Sequence, residues 1–199
     1  KNNASEDSWT TYAPSPIPTN ENSQTPKELT QTEIKKIISL FCDATQRAKD
    51  AGFDMIEIHG AHGYLLHSFF SPISNHRQDR YGGNKQNRMS FPLEVVKAVR
   101  EIWPDEKPLF YRISSTDNIE GGITINDNIS LVKELKNLGV DVIDCSSGGI
   151  SGRPRFAAKD DGSVLKNNLE RGLGFQVPYA DKIKKEVGIK TMAVGVIVD

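Results

Sequence analysis

The chain has 199 residues, 25 basic against 26 acidic side chains, and a formal charge of −1. So even a balance gives no electrostatic footprint for a nucleic-acid partner, which needs Lys and Arg in excess to neutralise phosphates. No apolar run approaches the ~20 residues that cross a bilayer, and the two cysteines, Cys42 and Cys145, lie too far apart to outline a disulfide framework, so no membrane partner and a reducing, cytoplasmic compartment are expected.

Residues 1–28 are rich in Asn, Ser, Thr and Pro, and the polar start Lys1 to Asp7 lacks the apolar segment of a secretory signal. Proline disfavours helix at the residue before it, so Ala13-Pro14-Ser15-Pro16-Ile17-Pro18 is expected to be extended and 1–28 to form a long surface loop. The whole chain, residues 1–199, reads as a single partial-barrel domain, with residues 29–199 as its βα units. Residues 30–51 place Ile34, Ile37, Ile38, Phe41 and Ala44 at helical spacing, with Thr30 and Glu33 set as a capping box and Gly52 as the stop. Phe53–His59 reads as a strand, followed by a long loop to Gly83. A helix is expected over Asn87–Ile102, a strand over Pro108–Ser114, a helix over Asn126–Leu138 and a strand over Val140–Cys145. A polar loop then spans Ile150–Gly174, before a helix over Pro178–Val187 and a last strand over Lys190–Ile197.

Short apolar strands alternating with helices predict a parallel α/β architecture with both sheet faces buried, as in a TIM (β/α)8 barrel. A doubly wound sheet is the rival, but no Gly-x-Gly-x-x-Gly follows any strand. A barrel typically takes about 250 residues and eight strands; four strands amount to about half of one. The chain begins without Met and stops inside the apolar run Val196-Ile197-Val198, so a segment of a longer polypeptide is expected. A half barrel would leave strand edges unpaired and inward-facing residues such as Ile58 and Ile113 without opposing layers. Association with another chain, a homo-oligomer included, is the corresponding expectation.

The chemistry concentrates where the apolar run Phe53 to Ile58 gives way to His59-Gly60-Ala61-His62-Gly63-Tyr64. On a continuing strand, positions i and i+3 face opposite sides. His59 and His62 converge only if the chain turns there, as Gly60 and Gly63 permit. Two imidazoles can donate to one substrate oxygen, and the Tyr64 phenol beside them can deliver a proton. The plainer alternative is a polar turn with one histidine satisfying a core hydrogen bond. A metal site on His59 and His62, as in a metal-dependent hydrolase, with His67 and His76 nearby, is weaker for want of a well-placed third ligand. Arg112 interrupts an apolar strand and cannot lose its proton, so it needs either a core carboxylate, Glu57 or Asp144, or an anionic ligand. Ser146-Ser147-Gly148-Gly149 and Gly195 end strands, where bare backbone amides can approach a phosphate. The loop holding Arg77, Asp79, Arg80, Tyr81, Gly82, Gly83, Asn87 and Arg88 reads as structural, with Arg77 and Asp79 tying it down.

Ala51-Gly52-Phe53-Asp54, Glu57-Ile58-His59, Ala61-His62-Gly63-Tyr64-Leu65-Leu66, Ser71-Pro72, Asn75, Arg77, Asp79, Tyr81-Gly82-Gly83 and Asn87-Arg88 together resemble the old yellow enzyme family. The likeness continues through Arg112-Ile113-Ser114, Val142 to Gly148, Gly174 to Pro178 and Ala193-Val194-Gly195, and so covers most of residues 26–197. Histidine at both paired positions is similar to the bacterial-type NADPH dehydrogenase branch. The resemblance implies a TIM barrel, of which the fourth to seventh strands are present, and an FMN-dependent reaction. In it NADPH or NADH reduces the flavin, which passes hydride to an activated alkene such as an α,β-unsaturated carbonyl. It also implies that His59 and His62 bind the small-molecule substrate's carbonyl oxygen, that Tyr64 is the catalytic proton donor, and that Arg112 and Gly195 contact FMN, at its pyrimidine end and its phosphate. The first three strands and the eighth, which carry further flavin contacts in that family, have no counterpart here. The alternative is a catalytically inactive half barrel acting through association with another chain.

Overall fold

The computed structural model describes residues 9–19, 23–150, 156–158, 164–166 and 172–198. Two short strands, β1 (Tyr12–Ala13) and β2 (Lys27–Glu28), pair in parallel ahead of the main sheet. The N-terminal segment is therefore not a free surface loop throughout. Pro14 and Ser15 are buried, and the His76 amide donates to Ser15 Oγ at 2.9 Å.

Helix α1 (Gln31–Asp50) opens with the expected capping box: the Thr30 hydroxyl accepts from the Glu33 amide while the Glu33 carboxylate accepts from the Thr30 amide. After it come β3 (Ile56–Gly60), α2 (Leu65–Phe70), α3 (Lys85–Arg100), β4 (Leu109–Ser114), α4 (Ile125–Asn137) and β5 (Val142–Ser146). The antiparallel pair β6 (Phe156–Ala158) and β7 (Val164–Lys166) follows, then α5 (Val177–Val187) and β8 (Lys190–Ala193). This pair lies within the stretch expected as a polar loop, and α2 within the loop expected to reach Gly83. The helix expected from Asn87 starts at Lys85, because Asn84 caps it by accepting from the Asn87 amide.

The main sheet is wholly parallel, in the order β3-β4-β5-β8. The strand expected from Phe53 begins only at Ile56, whose register partner is Leu109, the first residue of β4; Phe53 and Met55 are exposed. The strand expected to run to Ile197 stops at Ala193, where its partner β5 reaches Cys145. Gly195 (φ 111°) and Val196 (φ 48°) then turn the chain away.

Alternation along the strands sorts the residues into two layers. Ile58, Tyr111, Ile113, Ile143 and Cys145 are buried in one core with Val95, Val96 and Val99 of α3 and Leu131, Val132 and Leu135 of α4. Ile58 and Ile113 therefore have an apolar layer opposite them, contrary to the expectation that they face inward without one. Each such side chain contributes on the order of 1.5–3 kcal/mol on burial. The other face is mixed: Glu57, His59, Arg112 and Asp144 project from it beside Phe110, Val142 and Met192. The strands are thus not apolar on both sides, and four charged or hydrogen-bonding groups gather on the face turned from the helices.

Candidate active site

The parallel register sets His59, Arg112 and Asp144 side by side on three neighbouring strands, near their carboxyl ends. Of the two carboxylates open to Arg112 from sequence, Asp144 is the partner: Arg112 Nε lies 3.1 Å from Asp144 Oδ2. The attraction is coulombic rather than a formed hydrogen bond, since Arg112 Nε and Asp144 Oδ1 are buried without a hydrogen-bond partner. Burial raises the Asp144 carboxyl above its ordinary range, and Arg112 opposes that shift. Glu57 is raised by burial and then by the nearby Asp144 charge. A buried donor left unpaired costs about 1–3 kcal/mol, which a ligand acceptor recovers.

The chain does turn between the two histidines. His62 (φ 59°) and Gly63 (φ 76°) are both left-handed, a conformation costing a non-glycine residue about 1–2 kcal/mol. Close contacts hold it there. The His62 amide donates to Ser114 Oγ at 2.9 Å, and that hydroxyl donates to the Gly148 carbonyl at 2.7 Å. Gly149 packs against the His62 backbone so tightly that a Cβ on it would fall 2.4 Å from His62 Cα. Gly149 thus serves loop packing here, while Gly148 lends its carbonyl to Ser114. The turn brings the three expected side chains together: the His59 ring lies 5.2 Å from the His62 ring and 5.3 Å from the Tyr64 ring, edge to face. Tyr64 is 66% exposed, so its phenol opens outward.

The two imidazoles differ in engagement. His62 Nε2 shares a hydrogen bond with Ser146 Oγ at 2.7 Å, whereas His59 Nε2 is buried and without a partner. Burial, then the positive charge of Arg112, lowers both: His59 falls below the ordinary histidine value and His62 reaches about 4. Both rings are therefore neutral at pH 7, each with a single N–H to give.

Gly195 follows β8, beyond the same carboxyl edge of the sheet. A Cβ there would fall 2.7 Å from both Gln176 Nε2 and Phe175 Cε1. Gln176 links this loop to the next, because Ser147 Oγ donates to its carbonyl at 2.7 Å while its amide donates to the Val194 carbonyl. Arg77 has the structural role expected, holding Asp79 through Nε and Nη2 at 3.0 and 2.7 Å and the Leu29 carbonyl through Nη1 at 2.6 Å.

One part of the site was not expected. His67, expected only as a neighbour of the weaker metal site, is buried on α2. Its Nδ1 accepts from the Gly63 amide at 2.9 Å and its Nε2 lies 2.8 Å from Asp117 Oδ1. Ser71 Oγ and the Ile123 amide donate to Asp117 Oδ2. The signal available was a histidine within the apolar run Leu65-Leu66 to Phe69-Phe70; Asp117, fifty residues on, gave none. Among the described residues, no three His, Cys, Asp or Glu side chains gather as a metal site would require.

A profile of the NADH:flavin oxidoreductase / NADH oxidase family matches residues 2–199. The chain belongs to this family. Flavin mononucleotide and a nicotinamide reductant are the cofactors of NADH:flavin oxidoreductases. Similar curated relatives are the NADPH dehydrogenases of Geobacillus thermodenitrificans, 48% identical over 93% of this chain and 50% of that protein, and of Bacillus subtilis, 43% identical over 94% and 51%. The chain spans about half the length of the curated relatives it matches. Among solved structures, a 2-naphthoyl-CoA reductase bound to 2-naphthoyl-CoA superposes with a TM-score of 0.80 at 25% identity, over 96% of this chain and 28% of that one. Morphinone reductase in complex with tetrahydroNAD gives 0.70 at 25%, over 94% and 50%. The old yellow enzyme homologue of Zymomonas mobilis gives 0.72 at 23%, over 94% and 51%, a likeness of fold. The architecture is accordingly a partial TIM barrel, with four parallel strands and their helices. Unpartnered buried nitrogens at His59 and Arg112, on the face turned from the helices, suit a ring system rich in carbonyl and anionic oxygens, as a flavin is.

Proposed function

We propose that this chain carries the substrate-activating part of an FMN-dependent oxidoreductase that transfers hydride from NADPH or NADH, by way of the flavin, to an activated alkene such as an α,β-unsaturated carbonyl. The observation that carries the reading is the buried, unpartnered Nε2 of His59 within 5.2–5.3 Å, ring to ring, of His62 and Tyr64. FMN, when bound, would supply the two-electron chemistry that links the nicotinamide to the β-carbon of the alkene.

The residues of this chain supply the rest. Neutral His59 and His62 donate N–H groups to the substrate's carbonyl oxygen, where negative charge grows as hydride arrives. Because their lowered pKa keeps them uncharged at pH 7, they polarise the oxygen without protonating it outright. Hydride addition leaves the α-carbon one proton short, and the exposed Tyr64 hydroxyl gives it. Arg112, with Asp144 3.1 Å from its Nε, would hold the pyrimidine end of the flavin, where its charge would favour the anionic reduced form. Gly195, in a left-handed conformation past β8, would let backbone amides approach the FMN phosphate.

The test is the protein at its natural length, loaded with FMN and assayed for NADPH oxidation with cyclohexenone and with cyclohexanone. Turnover with the enone and none with the saturated ketone is expected. Oxidation that ignores the alkene refutes the reading.

A further inference from the structure

The buried pair of His67 and Asp117 takes no part in the chemistry above, yet it touches the site's turn through one atom. His67 and Asp117 are each about 1% exposed, and they connect three pieces of backbone. His67 rides on α2, just after the turn; Asp117 stands in the loop after β4; and the Ile123 amide, at the far end of that loop, donates to Asp117 Oδ2 at 2.9 Å. Ser71 Oγ, at the end of α2, donates to the same oxygen at 2.7 Å. Packing seals the arrangement, since a Cβ on Gly122 would fall 2.6 Å from Asp117 Cβ.

The polarity is fixed by the partners. His67 Nδ1 accepts the Gly63 N–H, so it carries no proton, and the ring's proton sits on Nε2 and is donated to Asp117. Asp117 thus receives three donors, and the ring is locked as an acceptor aimed at one backbone amide. That amide belongs to the second residue of the left-handed pair His62-Gly63. On its other side the pair is clamped by Gly149 and by Ser114. Without the acceptor at His67, the Gly63 amide would be left without this bond, and the turn would lose the contact that offsets its strain.

We propose that His67, oriented by Asp117, is a positioning residue that holds the Gly63 amide and thereby fixes the turn presenting His62 and Tyr64 to the substrate. The ligand-binding arm of its test rests on the function proposed above; the backbone arm does not. A histidine offers two separable functions here. His67→Asn places an amide oxygen near Nδ1 and keeps the acceptor for Gly63 while losing Asp117. His67→Gln reaches the Nε2 position and keeps a donor to Asp117 while losing the acceptor for Gly63.

The experiment uses the full-length protein with its cofactor and measures three quantities on both variants. These are hydrogen exchange at the Gly63 amide, the Kd of a para-substituted phenol by calorimetry, and the thermal unfolding midpoint. Positioning predicts that His67→Gln exposes the Gly63 amide to exchange and binds phenol roughly tenfold more weakly, the equivalent of one lost hydrogen bond. His67→Asn keeps both close to the parent value, even if its midpoint falls further. If the two variants lose phenol affinity in step with their loss of midpoint, or if Gly63 exchange is the same in both, the pair is structural only and the proposal is wrong. Should neither variant fold, Ser71→Ala removes one donor to Asp117 and is expected to raise Gly63 exchange; unchanged exchange there also overturns the proposal. A parent protein that binds no phenol at all refutes the proposed function, while the exchange measurements still decide the role of His67.

Discussion

Replacing His59 by Ala is expected to weaken phenol binding more than replacing His62, although the two histidines are proposed to share one ligand oxygen. His59 Nε2 is buried and unpartnered, so a ligand oxygen gains its hydrogen bond without breaking another. A bond of that kind to a charged oxygen is worth about 1.5–3 kcal/mol, roughly 10- to 150-fold in Kd. His62 Nε2 is already engaged with Ser146 Oγ at 2.7 Å, and a ligand must exchange one bond for another. The net contribution then falls to the ordinary range of about 0.5–1.5 kcal/mol, roughly 2- to 13-fold. Calorimetric titration of each Ala variant with a para-substituted phenol separates the two, with the unfolding midpoint measured alongside. Deleting an unpartnered buried donor is expected to leave the His59→Ala midpoint unchanged or raised. A larger loss of affinity for His62→Ala, or none for His59→Ala, refutes the assignment of the free donor.

Other outcomes follow from the same geometry. Tyr64→Phe is expected to leave flavin reduction by NADPH intact and to slow alkene reduction, as rapid mixing of each half-reaction can show; slowed flavin reduction alone would remove the proton-donor role. Gly149→Ala adds a Cβ 2.4 Å from His62 Cα at a residue with φ 98°. Left-handed strain alone is expected to lower stability by about 1–2 kcal/mol, read from chemical unfolding, and the phenol Kd is expected to rise with it. The His62 ring is expected to titrate near 4 by NMR. An unfolded histidine takes its proton near 6.5, so the unfolded state binds more protons between those limits and stability falls as pH drops from about 6.5 to about 4. His62→Gln should flatten that slope, while the raised carboxyls of Asp144 and Glu57 act in the opposite sense in both proteins.

Much of the fold is written locally. Helical spacing with the Thr30–Glu33 capping box, and short apolar runs, several of them followed by a glycine as at Gly60, Gly139 and Gly188, mark the alternating units because each signal sits within a few residues. The ends of strands are not local: β3 starts where β4 offers a partner, so the apolar Phe53 carried no information about pairing. Helix α2 was hidden because His67 and Ser68 interrupt the apolar run in sequence and the helix is only six residues long, though Leu65, Leu66, Phe69 and Phe70 keep the i, i+4 relation. At the site, the convergence of His59, His62 and Tyr64 was readable from their spacing and the intervening glycines. The choice of Asp144 over Glu57 for Arg112 was not, because it depends on register between strands. The buried link from His67 to Asp117 was invisible for the same reason, since neither residue's neighbours in sequence point to the other.

The most direct measurement is anaerobic and has two steps. The full-length protein with bound FMN is mixed with one equivalent of NADPH, and cyclohexenone is added once the visible flavin absorbance is steady. Hydride passing from the nicotinamide through the flavin to the alkene predicts that the absorbance bleaches with NADPH and returns with the enone, with cyclohexanone as the product. Bleaching that the enone does not reverse, or no bleaching at all, would contradict it.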